Sequence, residues 1–196
     1  MTTAAQRILA EVQAGLSRSA RYDDESIVHP GWVRQRYDCG CFASYGPARR
    51  ATVATAWHEA GHAVAALTVG ARFSSASIRH SHGSEGRVNG IRGAGDLMFV
   101  VDAAGQVAER LRDWSLPDGD EDVAAWLRSW KGDGGDARRF RRGLAARFGG
   151  DESAAWRYSA ELLTGRRLAV RQVARALLVH PRYLPYGVVK AIAATG

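Results

Sequence analysis

Residues 58–62 read His58-Glu59-Ala60-Gly61-His62, which is the pattern H-E-x-x-H. On an α-helix, side chains four residues apart lie on one face, about one turn from each other. Both imidazoles can therefore reach one tetrahedral zinc ion at roughly 2.0–2.1 Å. Glu59 follows the first histidine, so its carboxylate can take a proton from a water that the metal acidifies. The pattern predicts a zinc site at His58 and His62, with Glu59 as the catalytic base.

The surrounding residues predict a helix from about residue 47 to residue 69. Pro47 suits a first helical turn, and Gly70 suits the position just past a helix end. Apolar residues recur at intervals of three and four and can form a buried face: Val53, Trp57, Ala60, Val64 and Leu67. The same five-residue pattern also occurs in ordinary helices, where its histidines are plain surface or core residues. Its position in mid-helix favours the metal site.

Length and composition predict a folded protein. The chain has 196 residues, of which 46% are hydrophobic and 24% charged, enough for a domain with its own core. The longest apolar stretch, near residues 63–69, is too short to span a bilayer, and the N-terminus lacks the apolar core of a signal peptide. We expect a cytoplasmic protein without a membrane span. We divide it into an N-terminal helix with an irregular segment (residues 1–46) and a zinc peptidase-like domain (residues 47–196).

The net charge of +7 comes almost entirely from arginine and predicts nonspecific attraction to polyanions. One predicted helix carries a run of arginines: Arg138, Arg139, Arg141, Arg142 and Arg147. No zinc-finger spacing or helix-turn-helix signature accompanies them, so a solvated helix face explains the run better than nucleic-acid binding. Cys39 and Cys41 are the only cysteines and are poorly placed to bond each other. We interpret them as reduced thiols in a loop; the alternative is that one caps the metal and holds an enzyme latent.

The remaining pattern predicts an α+β fold that is mostly helical. Residues 3–17 suggest an amphipathic helix, and residues 71–92 two strands joined by a turn. An exposed strand beside the motif helix could bind a peptide by adding it to the sheet. His80 and His82 would share one face of the first strand, either against substrate or in solvent. Further helices are predicted from Asp96 onwards, over 121–130, 136–148, 151–179 and 185–194.

Three blocks resemble the FtsH-like family of zinc metallopeptidases: AWHEAGHAVAALTVGARFSSASI (56–78), DAAGQVAERL (102–111) and GDGGDARRF (132–140). The first block is the specific one, and the resemblance covers roughly residues 50–195. It implies a zincin-like fold with an H-E-x-x-H helix, a small β-hairpin or sheet and a C-terminal helical bundle. It also implies an aspartate as third zinc ligand, which falls on Asp136.

The residues alone leave the role of Asp136 open. It follows Gly134 and Gly135 and begins a predicted helix, so it could simply be an N-cap. Asp133 and Glu109 are the alternative third ligands. Glu109 could instead orient a ligating histidine, as groups around a metal site usually do.

The resemblance implies a zinc-dependent endopeptidase, with Zn²⁺ held by His58, His62 and Asp136. The family's membrane anchor and ATPase module have no counterpart in this sequence, and no phosphate-binding G-x-x-x-x-G-K-[ST] loop is present. We therefore expect cleavage of flexible peptide or protein segments, or of clients that a partner delivers. The alternative is a regulatory or partner-binding protein on a zinc peptidase fold with little or no turnover. The resemblance does not extend to the family's ring assembly, which its ATPase and protease parts form together, so the oligomeric state stays open.

Overall fold

The computed structural model describes residues 3–19, 48–79, 86–113, 116, 120–130 and 135–196. This part of the protein is mostly helical and carries one three-stranded antiparallel sheet. The elements are α1 (Ala4–Ser19), α2 (Ala48–Thr68), β1 (Ser75–Ser77), β2 (Arg87–Asn89), α3 (Met98–Asp113), α4 (Asp120–Ser129), α5 (Gly135–Gly143), α6 (Ala145–Phe148), α7 (Glu152–Thr164), α8 (Arg167–Val179), β3 (Leu184–Pro185) and α9 (Tyr186–Ala193). None of the helices in these ranges combines the length and hydropathy that crossing a membrane requires.

Helix α2 carries the H-E-x-x-H motif and lies at the centre of the fold. It packs against α3 on one side and α8 on another, and its residues 59–66 are all buried. Its last residue is Thr68, and Gly70 just beyond it has a left-handed φ of 77°. The Gly70 amide donates to the Leu67 carbonyl and the Ala71 amide to the Ala66 carbonyl, which is the Schellman pattern of helix termination. The predicted helix and its glycine stop are thus confirmed.

Small residues let α2 and α3 approach each other closely. A Cβ atom placed on Gly61 would lie 2.3 Å from the Ala104 carbonyl oxygen and 2.6 Å from the Ala108 Cβ atom. Such distances are far below van der Waals contact. The glycine inside the motif therefore permits the close contact between the two helices that bear the site.

The predicted hairpin is present, and it gains a third strand from the C-terminal region. β1 pairs antiparallel with β2, with Ala76 opposite Val88, and with β3, with Ala76 opposite Leu184. The order β2-β1-β3 puts β2 at an edge of the sheet. The sequence analysis missed β3, because two residues are too few to show an alternating pattern.

The long helix predicted over 151–179 is wrong. It is divided into α7 and α8, which also pack against each other. The Gly165 amide bonds back to the Glu161 carbonyl, and the Arg166 amide to that of Leu163. Gly165 ends α7 because glycine is a poor helix former. The apolar pattern continues across the break, so the periodicity of the sequence does not reveal it. The helix predicted over 136–148 is likewise interrupted at Leu144.

The N-terminal helix packs on the C-terminal ones. Val12 of α1 is fully buried, and a Cβ atom on Gly15 would overlap the Val179 side chain at the end of α8. The division of the chain at residue 46 stays a prediction. Cys39, Cys41, His80, His82 and Asp133 lie outside the described residues.

Candidate metal centre

The two histidines of the motif are oriented by groups on α3. His62 Nδ1 lies 2.6 Å from the Val101 carbonyl oxygen, and His58 Nδ1 lies 2.6 Å from Glu109 Oε1. A carbonyl or carboxylate oxygen can only accept, so each Nδ1 carries the hydrogen. Both Nε2 atoms are thereby left as the nitrogens that face the site, 3.0 Å apart.

Asp136 completes the set from the first turn of α5. Its Oδ2 atom lies 3.4 Å from His58 Nε2 and 3.4 Å from His62 Nε2. Asp136 is the second residue of α5 rather than the residue that precedes it, so the N-cap alternative does not describe its position. Glu109 contacts the far nitrogen of His58 and has the place of an orienting group, not of a third ligand.

These three residues fit a tetrahedral zinc ion. Ligand atoms at about 2.0–2.1 Å from such an ion are separated by about 3.3–3.4 Å along each edge of the tetrahedron. The observed separations are 3.0, 3.4 and 3.4 Å. Two imidazole nitrogens and one carboxylate oxygen are also the donor types that zinc binds in catalytic sites. His58, His62 and Asp136 could thus hold the ion and leave a fourth position open.

Gly105 keeps the space between the histidines clear. A Cβ atom on this residue of α3 would lie 2.5 Å from His58 Nε2 and 2.6 Å from His62 Nε2. Any larger residue would displace both of the nitrogens that face the site. Sequence reasoning found the block that contains Gly105 only by resemblance and assigned the glycine no role.

Arg139 and Asp102 fix the orientation of Asp136. Arg139 Nε donates to Asp102 Oδ1 at 2.8 Å, and its Nη2 donates to Asp136 Oδ1. Asp102 is only 5% exposed, so this buried carboxylate anchors the arginine. One oxygen of Asp136 is held by Arg139 while the other faces the histidines. The sequence predicts Arg139 to lie on a solvated basic face, whereas in the structure it bonds to Asp102 and Asp136.

The charges of the site are strongly coupled. Burial lowers the pKa of His58, but hydrogen bonds to Asp136 and Glu109 outweigh it and raise this pKa from 6.5 to about 10. Burial also raises the pKa of Asp136, but hydrogen bonds to His58 and His62 hold this pKa well below its usual range. The three groups therefore form a site that attracts positive charge, whether a proton or a metal ion.

Glu59 lies in the same cleft. Its side chain is nearly buried, with 6% of the residue exposed. Burial raises the pKa of its carboxyl, although His62 and His58 act in the opposite direction. Gly86 passes directly over it: a Cβ atom there would lie 2.7 Å from Glu59 Oε1. Only a glycine allows the chain before β2 to come so close to this carboxylate.

The cleft has a volume of about 900 Å³. Its lining includes His58, His62, Asp136 and Glu59, together with residues of β2 and apolar side chains, among them Val88, Ile91 and Met98. A space of this size is typical of ligand sites. It is large enough for several residues of an extended peptide.

All three residues of this set and Glu59 are among the site residues predicted from the sequence. The structure brings His58, His62 and Asp136 together with Glu59 beside them. The sequence does not predict site roles for Asp102, Arg139, Gly86 or the Val101 carbonyl, because none of these belongs to a spaced motif.

Comparison with protein-family models finds no match, and a comparison with curated proteins likewise finds no significant similarity. The FtsH-like resemblance therefore rests on the three sequence blocks alone.

Proposed function

We propose that this protein is a zinc-dependent endopeptidase with a zincin-like site, similar in type to the FtsH-like family. The observation that carries the proposal is the near-tetrahedral placement of His58 Nε2, His62 Nε2 and Asp136 Oδ2 around one point, with Glu59 in the same cleft. We take its setting to be the cytoplasm.

His58, His62 and Asp136 would hold the ion. When bound, zinc would polarise the scissile carbonyl and lower the pKa of a water to about 7. Glu59 takes the proton of the attacking water and passes it to the leaving amine. Its raised pKa suits this role, because a carboxylate with a pKa nearer to neutrality is a stronger base. Glu109 and the Val101 carbonyl keep both imidazoles in the tautomer that presents Nε2.

The substrate would be an extended peptide lying along β2. Within the described residues, β2 pairs only with β1, and its residues line the cleft. A peptide can add to such an edge through backbone hydrogen bonds, largely independently of its sequence. This mode suits flexible segments of proteins and clients delivered by a partner.

The test is cleavage of an unfolded protein, such as reduced casein, by the zinc-loaded wild type and by Glu59→Gln. We expect the wild type to cleave and the variant to keep its zinc and its circular dichroism spectrum while losing at least a hundredfold in rate, since general-base catalysis contributes about 10²–10⁴-fold. Asp122→Asn, an exposed carboxylate on α4, is the matched control and should cleave normally.

Equal rates for Glu59→Gln and wild type would refute the mechanism. If the wild type binds zinc and cleaves nothing, the regulatory or partner-binding alternative replaces the endopeptidase.

A further inference from the structure

The edge strand β2 presents one positively charged residue to the cleft. Gly86 lies against Glu59, and Val88 is paired with the fully buried Ala76, so these two residues face the inside of the sheet. Arg87 lies between them along the chain; it is exposed, and it is among the residues that line the cleft. Its partner on β1 is the neutral Ser77.

Arg87 differs from the other arginine of the cleft. Arg139 is bound to Asp102 and Asp136 and serves the metal-binding set. Arg87 has no ion pair with any carboxylate of the described residues, although it lines the same cleft as Glu59. Of the two arginines among the described residues that line the cleft, Arg87 is therefore the one whose charge no described carboxylate pairs.

A peptide strand added to β2 would place one residue directly opposite Arg87. Cross-strand neighbours share a face of the sheet, with Cβ atoms about 4.5–5.5 Å apart, and opposite charges there attract. Consecutive Cα atoms are about 3.8 Å apart, and Gly86 touches Glu59. The peptide residue opposite Arg87 is thus next in the peptide to the residue opposite Gly86. That second residue is the one nearest to the catalytic carboxylate of Glu59.

We infer that β2 selects peptides with an aspartate or glutamate opposite Arg87, next to the bond to be cleaved. This inference rests on the proposed function and names its substrate class: extended segments with an acidic residue beside the cleavage position. A lysine or arginine at that position would be disfavoured, because like charges directly opposite each other repel.

The test measures binding separately from turnover. Zinc-loaded Glu59→Gln is titrated against fluorescein-labelled nine-residue peptides of alanine and threonine, in which Glu, Gln or Lys occupies each position in turn. We expect one position at which the peptide with Glu binds most tightly, the one with Gln less tightly and the one with Lys least tightly. Each step should be about 1.4- to fivefold in affinity, the effect of one cross-strand charge pair. Adding Arg87→Glu should reverse that order.

Arg92→Glu is the matched control. It makes the same change of charge on the same hairpin, opposite Arg72, but Arg92 is not among the residues that line the cleft. It should leave the order of the three peptides unchanged.

Three results would overturn the inference: equal affinity for the three peptides at every position, no peptide binding at all, or the same reversal from Arg92→Glu as from Arg87→Glu. Charge-selective binding without cleavage of the best peptide by the zinc-loaded wild type would instead refute the endopeptidase proposal and leave the selection by Arg87 standing.

Discussion

At the scale of single residues, the site depends on glycines, which leave space, as much as on the side chains that fill it. Gly105 leaves room for both histidine Nε2 atoms, and Gly86 leaves room for the Glu59 carboxylate. Each of these glycines lies at a position where a Cβ atom would overlap an atom that the proposed chemistry uses. Neither position carries a positive φ, so the need for glycine arises from close approach and not from backbone conformation.

Gly105→Ala should weaken zinc binding without unfolding the protein. The new methyl group would displace the two histidine nitrogens, which are the ends of side chains and can move, while the α3 backbone stays in place. We expect a loss of zinc affinity on the order of 10–100-fold, similar to the loss of an orienting group around a metal. Competition with a chromophoric chelator measures it. Gly187→Ala, on α9 with open space around it, is the control; equal zinc affinity of wild type and Gly105→Ala would contradict the packing argument.

The raised pKa of His58 predicts a pH-dependent stability of the metal-free protein. The pKa is 6.5 in the unfolded chain and about 10 in the fold. Between these values the folded state binds more protons, so the free energy of unfolding falls as pH rises. This contribution is fully present below pH 6.5 and is lost as pH rises through about 10. Urea unfolding with a chelator present, from pH 6.5 to 9.5, should show the decline.

His58→Gln is the control for this dependence of the free energy of unfolding on pH. Glutamine does not titrate, so the variant should show a flatter dependence on pH over the same range. If its slope equals that of the wild type, His58 does not hold a proton between Asp136 and Glu109.

At the scale of elements, the helix pair α2–α3 builds most of the site. α2 supplies both histidines and Glu59, while α3 supplies the groups that orient them and the anchor Asp102. The close contact at Gly61 sets the distance between the helices. A change in that distance would move the imidazoles away from their hydrogen-bond partners on α3.

Gly61→Ala should therefore destabilise the protein, although alanine is the better helix former by about 1 kcal/mol. The added methyl group would lie 2.3 Å from the Ala104 carbonyl oxygen, a backbone atom that cannot easily move. Overpacking of this kind costs about 1–3 kcal/mol. Gly187→Ala gains the same propensity in open space and should be neutral or stabilising. Denaturant unfolding compares the two, and a stabilised Gly61→Ala would contradict the close contact.

The elements that the sequence predicted well are those with a strong local signal. α2 has its H-E-x-x-H motif, its apolar spacing and its glycine stop, and the hairpin has two extended runs around a turn. The break at Gly165 and the short strand β3 escaped prediction, because the first interrupts a continuous apolar pattern and the second pairs only through tertiary contact with β1.

At the scale of the whole molecule, the site assembles residues that lie far apart in the chain. Asp136 is 78 residues beyond His58, and α5 reaches the motif by packing on α3. Sequence spacing cannot show such a meeting, so the third member of the set was predicted by resemblance alone. The Arg139 link between Asp102 and Asp136 was beyond prediction, since an arginine in a basic run gives no sign of its partner.

The central claim is a single zinc site formed by His58, His62 and Asp136, and the most direct measurement is zinc content by elemental analysis after reconstitution and desalting. The account predicts one zinc per chain in the wild type and a clear loss in Asp136→Ala, because two histidines alone bind the ion weakly. Asp122→Asn, whose exposed carboxylate lies on α4, should retain the zinc. A wild type without zinc, or an Asp136→Ala variant that holds it as tightly as the wild type, would contradict the three-residue site.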